Sequence, residues 1–198
     1  MGGMGSGRRG GRNLTTDYRK LDVRRLHKAG VLTKLGHSVV KLGDGPELLA
    51  KLRPHALLMF GLAARTAHLR IETRARNAVT MLWPDAAQTR ARKGSIGLGP
   101  DARPFGPHTA KMLHVARATG IDARASRDAG AYLCNYLSWR AIEAAATDDH
   151  LRLAAFIHIP LLARGKKLRR GSSRITLEEL VDAGEAMLME IVKQARRR

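Results

Sequence analysis

The sequence holds a single cysteine, Cys134, in 198 residues. One cysteine cannot form an intramolecular disulfide, so a disulfide framework and cysteine-rich zinc sites are excluded, and a reducing compartment is indicated. Long apolar runs are also missing, since the longest, Ala56–Ala64, is far shorter than the roughly 20 residues that cross a bilayer. The basic N-terminus is followed by no apolar segment typical of a secretory signal. We therefore expect a cytoplasmic protein that does not span a membrane.

Aromatic and acidic side chains are scarce. Aromatics make up 4% of the chain, and 17 acidic residues face 36 basic ones, which gives a net charge of +19. Most of the basic excess lies in the N-terminal region, in Arg164–Arg174 and in Arg196–Arg198. Such runs are typical of a solvated face or of a weak, salt-sensitive affinity for nucleic acid. A non-enzymatic protein that binds nucleic acid through these segments is the alternative function, although neither a known module nor interleaved aromatics support it.

The length and a hydrophobic content of 44% predict one domain of ordinary size. Residues 1–36 read as a basic Gly/Arg-rich arm with a short helix, and residues 37–198 as an α/β domain. Within that domain, apolar runs and alternating patterns predict strands, and wider apolar spacing predicts helices. The predicted strands are Ser38–Leu42, His55–Phe60, His68–Glu72, a short stretch ending at Ser126, and Leu153–Ile159; the predicted helices are Pro46–Leu52, Thr109–Thr119, Tyr132–Ala146 and one opened by Thr176.

Strands that alternate with helices indicate an open, largely parallel sheet with helices on both faces. Thr176 and Glu179 have the spacing of a capping box at the start of the last helix. The Gly-, Pro- and Arg-rich stretch Pro84–Pro107 reads as a long loop.

Cys134 lies just inside the start of a predicted helix, after the turn Asp128-Ala129-Gly130. A helix N-terminus favours an anion through its dipole and its free N–H groups, which suits a nucleophilic thiolate. The alternative is that a lone cysteine on an apolar helix is a small core residue.

His158 and Glu72 lie near the ends of predicted strands. Catalytic groups gather at strand ends in open parallel sheets, and a thiol with an imidazole makes an activated nucleophile. A carboxylate such as Glu72 can orient the imidazole and stabilise its protonated form. Taken alone, His158 is more often a buried core histidine, and Glu72 a surface carboxylate paired with Arg74 or Arg76.

Three motifs carry a resemblance to a known family. They are Ser126-x-x-Ala129-Gly130-x-x-x-Cys134-Asn135, Phe156-x-His158-x-Pro160, and Gly61-Leu62-Ala63 followed by Ile71-Glu72-x-x-Ala75-x-Asn77. In order and spacing these motifs resemble those of the pyroglutamyl peptidase I family of cysteine exopeptidases, over about residues 53–195.

The resemblance implies removal of an N-terminal pyroglutamyl residue (5-oxoproline) from peptides, without a metal or cofactor. It implies that Cys134 is the nucleophile, that His158 transfers the proton and that Glu72 holds His158. Backbone N–H groups at the start of the Cys134 helix would hold the oxyanion. Leu62 and Leu133 occupy positions that resemble walls of the substrate pocket.

The first 36 residues resemble nothing in the family, whose members begin with a strand and an aromatic Gly-Phe-x-Pro-Phe-type loop. This leaves open whether the family's first strand is present and whether an altered N-terminus impairs activity. The expected partners are pyroglutamyl peptides as substrate, with weak non-specific nucleic-acid binding and a homo-oligomer left open.

Overall fold

The computed structural model describes residues 51–84, 88–162 and 174–197. They belong to one of the two units into which the chain divides, Val39–Arg198. The strands are β1 (Ala56–Leu62), β2 (Leu69–Glu72), β3 (Arg74–Arg76), β4 (Ala102–Pro104), β5 (Ala123–Ser126) and β6 (Leu153–Ile159), and the helices are α1 (His108–Ala118), α2 (Leu133–Thr147) and α3 (Leu177–Arg196).

Four strands form the main sheet in the order β1-β6-β2-β5. β1 runs parallel to β6 and β2 runs parallel to β5, whereas β2 and β6 are antiparallel. The largely parallel α/β sheet expected from the sequence is therefore confirmed, with one antiparallel pair at its centre. β3 and β4 form a separate antiparallel pair, so a short strand interrupts the stretch expected to be a long loop.

Successive side chains along each strand point to opposite faces of the sheet, and each face carries its own hydrophobic core. On one face, residues such as Ile71 and Ile157 pack with Met112 of α1 and Met187 of α3. On the other face, Ala154 and Phe156 pack with residues of α2. Burying one such apolar side chain contributes about 1.5–3 kcal/mol to the free energy of unfolding. Side chains on both faces of β6 therefore stabilise the packing of the helices on the sheet.

The helix starts follow local sequence signals. Thr176 and Glu179 form the predicted capping box, in which the Glu179 N–H donates to Thr176 Oγ1 (3.2 Å) and the Thr176 N–H donates to Glu179 Oε2 (2.8 Å). α1 is followed by Gly120, whose φ of +89° is a left-handed conformation that glycine adopts at little cost.

Several expectations lie outside the described residues: the basic arm over residues 1–36, the strand Ser38–Leu42 and most of the helix Pro46–Leu52, of which the last two residues are described and helical. In the part of the chain that the structure describes, no helix is both long and apolar enough to cross a membrane.

Candidate active site

His158 and Glu72 project from neighbouring strands toward α2. On β6, Ala154 and Phe156 belong to the core on the α2 face, so alternation places His158 on that face too. On β2, Ile71 packs in the opposite core, and Glu72 therefore faces α2. The antiparallel register brings the two strands together such that Glu72 pairs with Phe156, two residues before His158.

The imidazole of His158 and the carboxylate of Glu72 are in direct contact. Nδ1 of His158 donates to Oε1 of Glu72 at 2.8 Å, and both side chains are buried, with Glu72 fully inaccessible to solvent. Among the described residues, Cys134 also acts on the imidazole of His158 as a hydrogen-bond partner. With Nδ1 engaged by Glu72, Nε2 is the nitrogen left for the thiol.

These contacts determine the charge of His158. Burial by itself lowers the pKa of His158, but hydrogen bonds with Cys134 and Glu72, together with the charges of those groups, outweigh burial and raise the pKa to about 9. The imidazole is therefore protonated at neutral pH. The thiol of Cys134 therefore lies beside a positively charged imidazole.

Cys134 is the second residue of α2 and is half-buried. Tyr132, the N-cap residue, has an extended backbone, and no described side chain caps the helix. The first N–H groups of a helix have no partner within it, so those beside Cys134 are available to a ligand oxygen. Gly130, with φ of +86°, and the bond from its N–H to Asp128 Oδ1 (2.9 Å) shape the turn before the helix.

Gly61 leaves the space that the thiol occupies. It is the register partner of His158 on β1, on the face that carries Cys134. A Cβ atom at Gly61 would lie 3.0 Å from Cys134 Sγ and 2.9 Å from the ring of Phe156, closer than real Cβ atoms pack. The strand therefore requires a glycine at this position.

Arg70 is a site residue that the sequence analysis did not single out. Its guanidinium lies 2.9 Å from Oε1 of Glu72 and 2.7 Å from Oγ of Ser126, and it also donates to the carbonyl oxygen of Asp128. Glu72 is therefore not a surface carboxylate, and that alternative is wrong. Arg74 instead donates to the carbonyl of Arg127.

Asn135 joins the cysteine helix to β3. Its Oδ1 accepts from the N–H of Arg76 (2.9 Å), and its Nδ2 donates to the carbonyl oxygens of Arg76 (2.8 Å) and Ala78 (2.7 Å). The side chain is fully buried. These bonds fix the position of the first turn of α2 relative to the strand that follows Glu72.

The structure does not bring Leu62 and Leu133 to one place beside the thiol. Leu62 is 61% exposed, and alternation along β1 turns it to the face opposite Gly61. Leu133 lines a small cavity of about 10 Å³ with Trp83, Tyr132 and Tyr136. Their part in substrate binding stays a prediction.

An open cleft of about 450 Å³ adjoins His158. Its lining includes Ala63, Arg65, Arg70, Asp128, Gly130 and His158. Among the described residues, no group of three His, Cys, Asp or Glu side chains is placed to hold a metal ion.

The sequence model described as Pyroglutamyl peptidase matches residues 24–194. This chain belongs to the pyroglutamyl peptidase family. The match begins upstream of residue 37, where the sequence analysis placed the start of the domain, so part of the expected basic arm aligns with the family as well.

Relatives in this family are identical to the chain at about three tenths of the aligned positions. A pyrrolidone-carboxylate peptidase of Pyrococcus furiosus is 29% identical over 128 residues, which are 62% of this chain and 62% of the relative. Pyrrolidone-carboxylate peptidase 1 of Ralstonia nicotianae is 30% identical over 150 residues, 73% of this chain and 68% of the relative. The chain therefore spans about three fifths to two thirds of the length of these relatives.

The fold is also that of a solved pyroglutamyl peptidase. The pyrrolidone carboxyl peptidase from Thermococcus litoralis matches with a TM-score of 0.70 and 21% identity, covering 88% of this chain and 87% of that chain. At this level of identity the similarity establishes the α/β architecture.

Proposed function

We propose that this protein is a cysteine exopeptidase that removes N-terminal pyroglutamate from peptides, with Cys134 as nucleophile, His158 as proton carrier and Glu72 as the residue that holds His158. The observation that carries the proposal is the buried contact of His158 with both Glu72 and the thiol. Family membership supplies the reaction class, and the site geometry supports the residue roles.

In the first half of the reaction, the thiolate of Cys134 attacks the carbonyl carbon of the 5-oxoproline residue. The carbonyl oxygen becomes an oxyanion, which the free N–H groups at the start of α2 stabilise. His158 gives its proton to the amine of the leaving peptide as the C–N bond breaks. The products are a thioester on Cys134 and a peptide shortened by one residue.

In the second half, the now neutral His158 takes a proton from water, and the resulting hydroxide attacks the thioester. Collapse of the second oxyanion releases free pyroglutamate and the Cys134 thiolate, and His158 is protonated again. Glu72 exchanges no proton in this scheme, because its role is to orient the imidazole and stabilise its positive charge.

The test is release of a fluorogenic amine from its pyroglutamyl conjugate by the purified protein. Wild type should release the amine, and Cys134→Ala should release none. The same amine on alanine is the matched substrate and should not be cleaved. Release by Cys134→Ala at the wild-type rate would refute Cys134 as nucleophile, and no release by wild type would refute the activity.

The nucleic-acid alternative rests on segments that lie mostly outside the described residues: the N-terminal arm, residues 164–173 of the basic loop, and Arg198. No described contact favours it over the peptidase.

A further inference from the structure

The cleft beside His158 lies on the leaving-group side of the site. His158 lines it, whereas Cys134 does not. In the proposed reaction, the amine that leaves takes its proton from His158, so this amine must come within hydrogen-bond reach of the imidazole. The residue that follows pyroglutamate carries that amine. Its side chain therefore enters the cleft that adjoins His158.

The charges in the cleft are paired with one exception. Arg70 contacts Glu72 at 2.9 Å, and Asp128 is neutralised by Arg76 at 2.9 Å. The proton on His158 is matched by Glu72 and Cys134. Arg65, in contrast, takes part in none of the ion pairs or side-chain hydrogen bonds found among the described residues, and it is exposed.

We infer that Arg65 gives this cleft a preference for a carboxylate on the residue after pyroglutamate, so that the favoured substrates are pyroglutamyl peptides with Asp or Glu in second position. This inference rests on the proposed function. An unpaired guanidinium in a cleft forms an ion pair with a carboxylate, in which donor and acceptor are both charged, whereas an amide of the same shape offers it only a neutral acceptor. The same charge of Arg65 opposes a lysine or arginine at this position.

The experiment compares pyroglutamyl-Asp-Ala-amide with pyroglutamyl-Asn-Ala-amide, which differ by one charge and have no other carboxylate. Release of the new amino terminus gives kcat/KM for each peptide. Wild type should favour the Asp peptide about three- to fivefold, the size of an ion pair open to solvent. The ratio should fall toward one in Arg65→Gln, and below one in Arg65→Glu.

Arg196→Gln is the matched control, because it removes the same charge from the exposed end of α3, which packs against the opposite face of the sheet. It should keep the wild-type ratio. High salt should reduce the ratio in wild type, because the pair is accessible to ions.

Equal rates for the two peptides, in a chain that cleaves the fluorogenic conjugate, overturn this inference and leave the proposed function in place. A preference that survives Arg65→Gln also overturns it. If no substrate is cleaved, the proposed function fails, and calorimetry with the two peptides then decides the inference separately: tighter binding of the Asp peptide that Arg65→Gln abolishes supports it, and equal binding overturns it.

Discussion

Arg70 and His158 are register partners on β2 and β6, and both contact the same oxygen of Glu72, at 2.9 and 2.8 Å. One buried carboxylate thus balances a guanidinium and an imidazolium. Arg70 in turn reaches Ser126 and Asp128, in the segment that leads to the cysteine helix. The carboxylate that holds His158 is therefore also linked to the turn that precedes Cys134.

Substitutions at His158 and Glu72 should differ in effect, because in the proposed mechanism His158 transfers protons whereas Glu72 only orients the imidazole and stabilises its charge. His158→Ala should reduce kcat/KM to the level of Cys134→Ala. Glu72→Gln should lose about 10²- to 10⁴-fold and keep a measurable remainder. Turnover of the fluorogenic pyroglutamyl substrate measures both. Full activity in Glu72→Gln would mean that another group holds His158.

Alkylation should report the thiolate of Cys134 directly, because the chain has no other cysteine. The proposed nucleophile is a thiolate beside the protonated His158 and at the start of α2, so iodoacetamide should label the folded protein at pH 7 about tenfold faster than the urea-unfolded chain. His158→Ala should lose most of this advantage. Equal rates in folded and unfolded wild type would count against a catalytic thiolate.

The stability of the fold should fall as pH rises above neutrality. The pKa of His158 is about 9 in the folded protein and about 6.5 in the unfolded chain, so the folded state binds the proton more tightly. This contribution is fully present below about pH 6.5 and is lost as pH rises through 9. Urea unfolding of wild type and His158→Gln between pH 6 and pH 10 measures it. The difference between the two proteins should shrink over this interval, and a constant difference would be inconsistent with the raised pKa.

Gly61→Ala should damage activity and stability together. The new methyl group would press on Cys134 Sγ and on the ring of Phe156, at a cost of about 1–3 kcal/mol. Displacing the thiol should lower kcat/KM by about 10²-fold. Gly184→Ala in α3 is the control, since its Cβ meets no described atom within 4 Å, and it should raise stability by about 0.5–1 kcal/mol. Wild-type turnover in Gly61→Ala would show that the site accommodates the methyl group without displacing the thiol.

Asn135 should be more important for stability than its size suggests. Asn135→Ala leaves one N–H and two carbonyl groups of the backbone without their partner, at about 1–3 kcal/mol for each group that stays buried. Asn135→Asp should be worse than Ala, because its carboxylate would face both carbonyl oxygens. Thermal unfolding gives the order, and an Asp variant as stable as wild type would contradict this account.

The longer elements could be predicted from sequence because their patterns are strong. The apolar run Leu153–Ile159 is a strand with the predicted bounds, and the helix predicted over Tyr132–Ala146 is shifted by one residue. The strands β3 and β4 could not be predicted from sequence, because each has only three residues. An alternation with a period of two cannot be recognised in so short a segment. The direction of β2 relative to β6 also depends on tertiary contacts rather than on the four residues of β2.

For the site, the sequence brought Cys134, His158 and Glu72 together through their motifs. Arg70 could have been placed near the site from sequence, because strand alternation puts it on the same face as Glu72. Its contacts with Ser126 and Asp128 could not be predicted, because these residues are distant from Arg70 in sequence. The space above Gly61 could not be foreseen either, because it depends on how closely α2 approaches β1.

β6 has a neighbouring strand on each side and helices over both faces, and it carries His158. Backbone amides in such a strand exchange their hydrogens only when the whole structure opens. The amide of His158 should therefore be among the slowest of the domain in hydrogen exchange. The backbone that carries the imidazole then loses its position only when the domain unfolds.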